Sequence, residues 1–370
     1  MPKFQIASVL AALCLAAGCA APVGAPSTMA PAPAVPVDVG PAAPTAVLST
    51  SYTLDGRILP VVRGTDLVET RADMRRTDSA VTFDNWLLRQ VAGDGRSSDI
   101  VRLDSHLLWT LYHAKKTYKE CPLTGCIQPA RATDDKPQKK EPAKEDTAQP
   151  SCPLSVRRND LKVTGTGEHR QINGWDTQHY QMNWIVELED PQKRRTANTV
   201  VLDLWTTPET GSIQDVERMN EVFTRRWLTE LNATEHPMNR YLPRNVLGAL
   251  EPLVRNSLGK SGGNTSILGR WGNEFKKIQG YPILTTVTWN VEGNACSDSS
   301  QSPADSAVAT PPTSVSGLVG NLLGNAAQDK AKDMASTGAL LTYSSEVKTM
   351  EVKPVSDSSF VPPSTYQKTQ

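Results

Sequence analysis

Neither sign of charge is in excess: Lys plus Arg and Asp plus Glu each total 39 of the 370 residues. A chain without net charge has no electrostatic pull toward nucleic acid, so no nucleic-acid partner is expected. Beyond residue 18 no run of about 20 apolar residues occurs, which excludes a hydrophobic spanning helix there. Histidine is scarce. The five (His106, His113, His169, His179 and His236) show no metal-ligand spacing and read as surface or hairpin residues. Catalytic signatures are equally sparse, and no Gly-x-Ser-x-Gly elbow is present. Gly165-Thr166-Gly167 has Arg170 where a dinucleotide fingerprint needs its third glycine, and Gly259-Lys260-Ser261 has Val254 where a phosphate loop needs its first. Asp203, beside Trp205, falls on the polar phase of its strand. No catalytic residue, metal ligand or cofactor is therefore assigned, and the chain is not expected to be an enzyme.

What is present begins at the amino terminus. Lys3 precedes the short apolar run Ile6–Ala17, which ends in small residues: secretory-signal architecture, too short for a membrane anchor. The run closes on Leu15-Ala16-Ala17-Gly18-Cys19, which resembles a bacterial lipobox, with Ala16 where Leu is usual. The resemblance implies a signal peptide over 1–18 and diacylglycerol and palmitate on Cys19. Two or three acyl chains, at about 0.8 kcal/mol per buried CH₂, anchor stably where one would be marginal. An ordinary cleaved signal with an incidental Cys19 is the competing reading. Ala20, where an Asp would retain a lipoprotein in the inner membrane, implies the inner leaflet of the outer membrane, facing the periplasm. Residues 20–47 hold seven prolines and one charge, Asp38. Such a segment builds no core and extends roughly 3 Å per residue where polyproline-like, so 19–47 reads as lipidated Cys plus tether.

Four cysteines remain beyond Cys14 and Cys19. In an exported chain Cys121, Cys126, Cys152 and Cys296 imply two disulfides with three pairings. A local Cys121–Cys126 bridge, with Cys152 joined to Cys296, is one solution. Pairings that clamp the polar 127–151 insertion at its base are the others. Zinc would want two close ligand pairs, and only one is close.

Residues 48–370 read as one α+β domain interrupted by polar insertions at 127–151 and 297–313. Strands are predicted over Tyr52–Arg57, Leu67–Arg76, Ala80–Gln90, Ile100–Leu103, Leu107–Tyr112, Thr117–Glu120, Asp160–Gln171, Trp175–Glu189, Thr199–Thr206, Tyr281–Val291 and Leu340–Pro354. His113–Lys116 turns the chain, and Asn173-Gly174 marks a tight hairpin because both residues tolerate positive φ. Helical periodicity appears over Ile213–Asn232, with Val216, Met219, Phe223, Trp227 and Leu231 on one stripe. It appears again over Arg244–Leu258, interrupted by Pro252, and over Val315–Ser336. Gln171-Ile-Asn-Gly-Trp175 is echoed by Lys277-Ile-Gln-Gly-Tyr281, read as two hairpins sharing one turn chemistry. Strands first and helices between later strands is an α+β plan, a curved antiparallel sheet with helices on its apolar face.

These residues also carry a family resemblance. Ile100-Val-Arg-Leu-Asp104, Leu107-Leu-Trp109 and Lys115-Lys-Thr-Tyr118-x-Glu120 come first, then Gly165-x-Gly-Glu168 with Ile172-Asn-Gly174. Leu202-Asp-Leu-Trp205, Ile278-Gln-Gly-Tyr-Pro282 and Phe360-Val-Pro-Pro363 with Tyr366 complete the order. Over about 95–370 this resembles the exported proteins grouped as domain of unknown function 4412. That family is related in fold to the periplasmic lipoprotein carriers LolA and LolB. The resemblance implies an unclosed half-barrel whose apolar concave face, covered by helices, shelters acyl chains. On that reading Trp109, Trp184, Leu204, Val287 and Trp289 line an apolar groove for lipid or lipidated cargo. The alternative is a structural lipoprotein with a filled core that docks another envelope protein. Residue type does not separate a groove from a core.

Overall fold

The computed structural model describes residues 40–56, 59–84, 95–125, 152–233, 240–242, 246–247, 250, 253, 271–296 and 339–369. The chain divides into Met1–Asp38 and one compact unit, Val39–Gln370, to which all described residues belong. The signal peptide, Cys19, Cys126, both insertions and the Val315–Ser336 helix lie outside the described residues. No helix among the described residues is long and apolar enough to cross a membrane.

Twelve strands form one unclosed sheet: β1 (Ala42–Gly56), β2 (Leu59–Thr70), β3 (Met74–Phe83), β4 (Arg96–Arg102), β5 (Leu107–Tyr112), β6 (Thr117–Pro122), β7 (Ser155–Ile172), β8 (Trp175–Glu189), β9 (Arg195–Thr207), β10 (Tyr281–Gly293), β11 (Leu341–Ser356) and β12 (Gln367–Thr369). Their order is β12-β6-β5-β4-β3-β2-β1-β11-β10-β9-β8-β7, and every pair is antiparallel except β12 on β6. Helix α1 (Ser212–Glu230) follows β9, and a short helix occupies 271–275. Of the helix expected over Arg244–Leu258, residues 246, 247, 250 and 253 are described, and they are helical. The sheet-rich, largely antiparallel plan matches the expectation, and β5 and β8 fall on the predicted bounds.

Local chemistry explains the best-read elements. Asn173 (φ 49°) and Gly174 (φ 85°) make the two-residue turn between β7 and β8, whose twist suits a hairpin. Along β8 the residues Tyr180, Met182, Trp184, Val186 and Leu188 are all buried while the intervening ones are half-buried, a period of two. Register then carries this phase across the sheet: Trp184 pairs with Val200, which pairs with Trp289, which pairs with Leu341. Tyr343 continues the row to Leu54 and Val62. Tyr52 lies across Gly64 of the adjacent strand, where any Cβ would run into the phenol ring.

Several expectations are corrected. Strand β1 starts at Ala42, so the last residues assigned to the tether are paired, Ala42 to Ser356 through Val47 to Glu351. Ala46 and Val47 are buried there, which gives this end of a proline-rich stretch a core to join. Leu67–Arg76 is not one strand. The chain turns at 71–73, with Arg71 N–H bonded to Met74 O at 2.9 Å, because the buried Arg71 side chain is spent on the far end of the chain. β3 ends at Phe83, and residues 85–94 lie outside the described ones. The echo at Lys277–Tyr281 is no hairpin. It leads from the 271–275 helix into β10, with Gly280 at φ 82° pressed against the Thr207 carbonyl.

One face of the sheet carries the main core. Ile213 and Val216 of α1 pack with Ala46, Ile283, Val347 and Met350. Val246, Leu250, Leu253, Trp271 and Phe275 share a cluster with the buried residues of β8, β9 and β10. At the other end of α1, Phe223 and Trp227 meet Val101, Leu103 and Leu108. The opposite face is covered near β3–β6 by the C-terminal segment, where Phe360 is wholly buried among Val47, Ile100, Leu111 and Val355.

Candidate functional site

The five residues expected to line a groove separate. Trp184, Leu204 and Val287 are completely buried, and Trp289 nearly so, all in the main cluster. Trp271 closes edge-on over Trp184 at a centroid distance of 5.1 Å. The indole N–H groups are satisfied by Asn159 Oδ1 (2.9 Å) and Asn198 Oδ1 (3.2 Å). Among the described residues these four are packed core rather than an open wall. Trp109 is not with them. It is half-buried on the opposite face beside Ile100 and Phe360, donating to Glu120 at 3.0 Å. The alternation within β5 was legible, but its phase relative to β10 passes through six strand pairings that no local pattern reports.

The helix-side face is not apolar throughout. Over β2–β5 it carries Asp66 and Asp99, both pushed above the usual carboxylate range by burial. Asp99 accepts from Thr110 at 2.7 Å, whereas Asp66 is hydrogen-bonded to Ser79 and its Oδ1 has no partner among the described residues. Burial likewise raises the Tyr343 hydroxyl to about 12, and raises that of Tyr52.

On the opposite face a cleft of about 350 Å³ opens over β2, β3 and β4, at the small end of ligand pockets. Its borders include Leu67, Arg76, Asp78, Ala80, Arg96 and His113. Arg76 Nε lies 2.9 Å from both oxygens of Asp78, and Nη1 donates to Ser359 O at 2.9 Å. Behind the cleft runs a chain of polar contacts: Tyr366 Oη to His113 Nδ1 at 2.7 Å, His113 Nε2 to Ser98 Oγ at 2.6 Å, and Ser98 Oγ donating to Asp78. One consistent donor pattern follows, with Tyr366 donating to a neutral imidazole, His113 Nε2–H donating to Ser98, and the Ser98 proton directed to Asp78. Ser98 is 1% exposed and its proton is directed to a carboxylate, while the far side of His113 meets a phenol. This is not a serine activated by a carboxylate-oriented base. Of these residues only His113, as part of a turn, and Tyr366, in the family resemblance, stood out in the sequence, since contacts 15 to 283 positions apart carry no spacing signal.

The C-terminal segment is held to this face largely by arginines. Arg71 donates to Thr45 Oγ1 (2.9 Å), to Asp357 (2.5 Å) and to Val355 O (2.5 Å), and its guanidinium lies 4.8 Å from the Phe360 ring centre. Arg102 reaches Phe360 O at 3.4 Å.

A second polar corner joins the ends of β8 and β10. Glu189 accepts from Arg157, Lys193 and Arg195, and Arg157 above all holds its carboxyl down to about 2. Burial alone would raise Asp190. The Cys296 N–H and Arg194 outweigh it and hold this carboxyl also to about 2. Cys152 and Cys296 are disulfide-bonded, with Cα atoms 5.9 Å apart, which excludes the pairings that join either to Cys121 or Cys126. Cys121 is bonded to a residue outside the described ones. Asp190 is close to both sulfurs, but disulfide sulfurs are not thiolate ligands and the carboxylate is already engaged. Asp203 sits on the polar face as its strand phase requires, contacting His179 (3.2 Å) and Gln181 (3.0 Å).

Set against protein-family models, curated proteins and solved structures, the chain matches none of them.

Proposed function

We propose that this chain is a lipid-anchored, non-enzymatic lipoprotein of the bacterial envelope: Cys19 acylated and held at the outer membrane, a proline-rich spacer, and a sheet domain that docks another envelope component through its surface. The observation that carries the docking reading over the lipid-groove reading is the packing of Trp184, Leu204, Val287 and Trp289. An acyl chain needs space beside an apolar wall, and these four have helical side chains against them instead. We read the sheet as the unclosed half-barrel of the LolA and LolB type. The side chains of α1 and of the helical residues 246, 250, 253, 271 and 275 on one face support that reading.

The test is native mass spectrometry of residues 20–370 secreted behind a cleavable signal peptide and purified without detergent. The expected mass is the bare polypeptide less the hydrogens lost to its disulfides. Extra mass released as phospholipid or fatty acid would restore the groove reading. Lipidation is checked separately: the wild-type chain should fractionate with the outer membrane carrying an acylated Cys19, and Cys19→Ser should lose the acyl mass.

A further inference from the structure

The cleft over β2–β4 has a composition that selects a ligand. We infer that it is a binding site for a small organic carboxylate with a short apolar tail. This goes beyond the tethered docking reading and does not depend on it.

Three observations carry the inference. First, the cleft has an apolar floor in an otherwise polar neighbourhood. Leu67, one of the few large apolar side chains exposed among the described residues (37%), stands beside Ala80. Strand alternation turns both toward the cleft, while Asp66 and Ser79, which also border it, belong to the helix-side phase. Second, the wall contains a guanidinium fixed in place with donors to spare. Arg76 is 17% exposed and pinned through Nε to Asp78 and through Nη1 to Ser359 O, and Nη2 has no partner among the described residues. Pinning removes the rotamer entropy that an arginine ordinarily loses on binding an anion. Arg96 stands on the same border, so two guanidinium groups face the two carboxylates, Asp66 and Asp78, that also line the cleft. Third, the chain from Tyr366 through His113 and Ser98 to Asp78 consumes both imidazole nitrogens and the serine hydroxyl, so these groups hold the wall rather than react. The volume admits a small molecule and not a long acyl chain. A carboxylate would take hydrogen bonds from Arg76 Nη2, and its tail would cover Leu67 and Ala80.

The experiment is isothermal titration of residues 20–370, purified without detergent, with benzoate and butyrate, against benzamide, butyramide and inorganic phosphate. The carboxylates are expected to bind, with the amides weaker by roughly tenfold or more, the scale of a charge-assisted hydrogen bond. Arg76→Gln is expected to lose about as much. Because Arg76 also holds Ser359, Leu67→Ser supplies a second variant that leaves the C-terminal segment untouched, and it is expected to weaken benzoate several-fold without changing the melting temperature. Equal binding of benzoate and benzamide, unchanged affinity in both variants, phosphate binding as tight as benzoate, or no binding of either carboxylate would each overturn the assignment.

Discussion

The two faces of the sheet solve the same problem differently. The helix-side face between β7 and β11 buries a row of mostly apolar side chains against helical residues, and the indole N–H groups of Trp184 and Trp289 are paired inside with asparagines. The opposite face over β3–β6 is closed by the chain's own C-terminal segment, which relies on arginines donating to carbonyls and carboxylates as well as on Phe360. Apolar burial is non-directional and is lost only with the whole fold, whereas a segment held by directional charged contacts is released when one contact fails. The second face therefore leaves polar surface, and the cleft over β2–β4, beside the segment that covers it.

The contrast breaks most sharply at its centre. Trp184→Ala removes a wholly buried ring packed against Trp271 and is expected to cost about 3–5 kcal/mol in urea unfolding. A cost under about 1 kcal/mol would mean the interior is not close-packed. Arg71→Met should cost less, about 2 kcal/mol, since it leaves Val355 O and Thr45 without their donor. Its signature is regional: hydrogen exchange should rise over 357–369 while β8 and β9 stay protected. Uniform exposure would show that the C-terminal segment is part of the core.

The smallest effect, and the finest discriminator, is pH. Glu189 and Asp190 have folded values near 2, below unfolded values of about 4.3 and 3.9. Their contribution is present above that unfolded range and is lost as pH falls toward 2. Asp66 and Asp99 run the other way. Their folded values are raised, so the fold favours their protonated forms and stability declines as pH climbs through the carboxylate range to those raised values. Asp66→Asn should accordingly stabilise the protein at pH 7 by about 1 kcal/mol and flatten that decline. A loss of stability at pH 7 would show that the Asp66 charge has a partner the fold requires.

How much of this was legible varies by element. The hairpin at Asn173-Gly174, the turn at His113–Lys116 and the bounds of β5 and β8 were readable, because turn chemistry and alternation act within a few residues. The corner at Arg71 was hidden, since what ends the strand there is a side chain bonded 286 positions away. Trp109 was read onto the wrong face, and β12, a three-residue parallel strand held by Lys116 O and Tyr366, left no pattern at all. The cleft was equally hidden. Arg76 looks like any surface arginine until Asp78 and Ser359 are seen to hold it.

Alternation and turn residues, by themselves, determined that this chain makes long antiparallel strands with an amphipathic helix after β9, because those preferences are paid locally. Tertiary structure alone decided which faces coincide, that Trp184, Leu204, Val287 and Trp289 are buried together, and that a leucine and an arginine from neighbouring strands and a histidine from the turn after β5 meet around one cleft. Those outcomes depend on register accumulated across twelve strands, a non-local quantity to which no single segment has access.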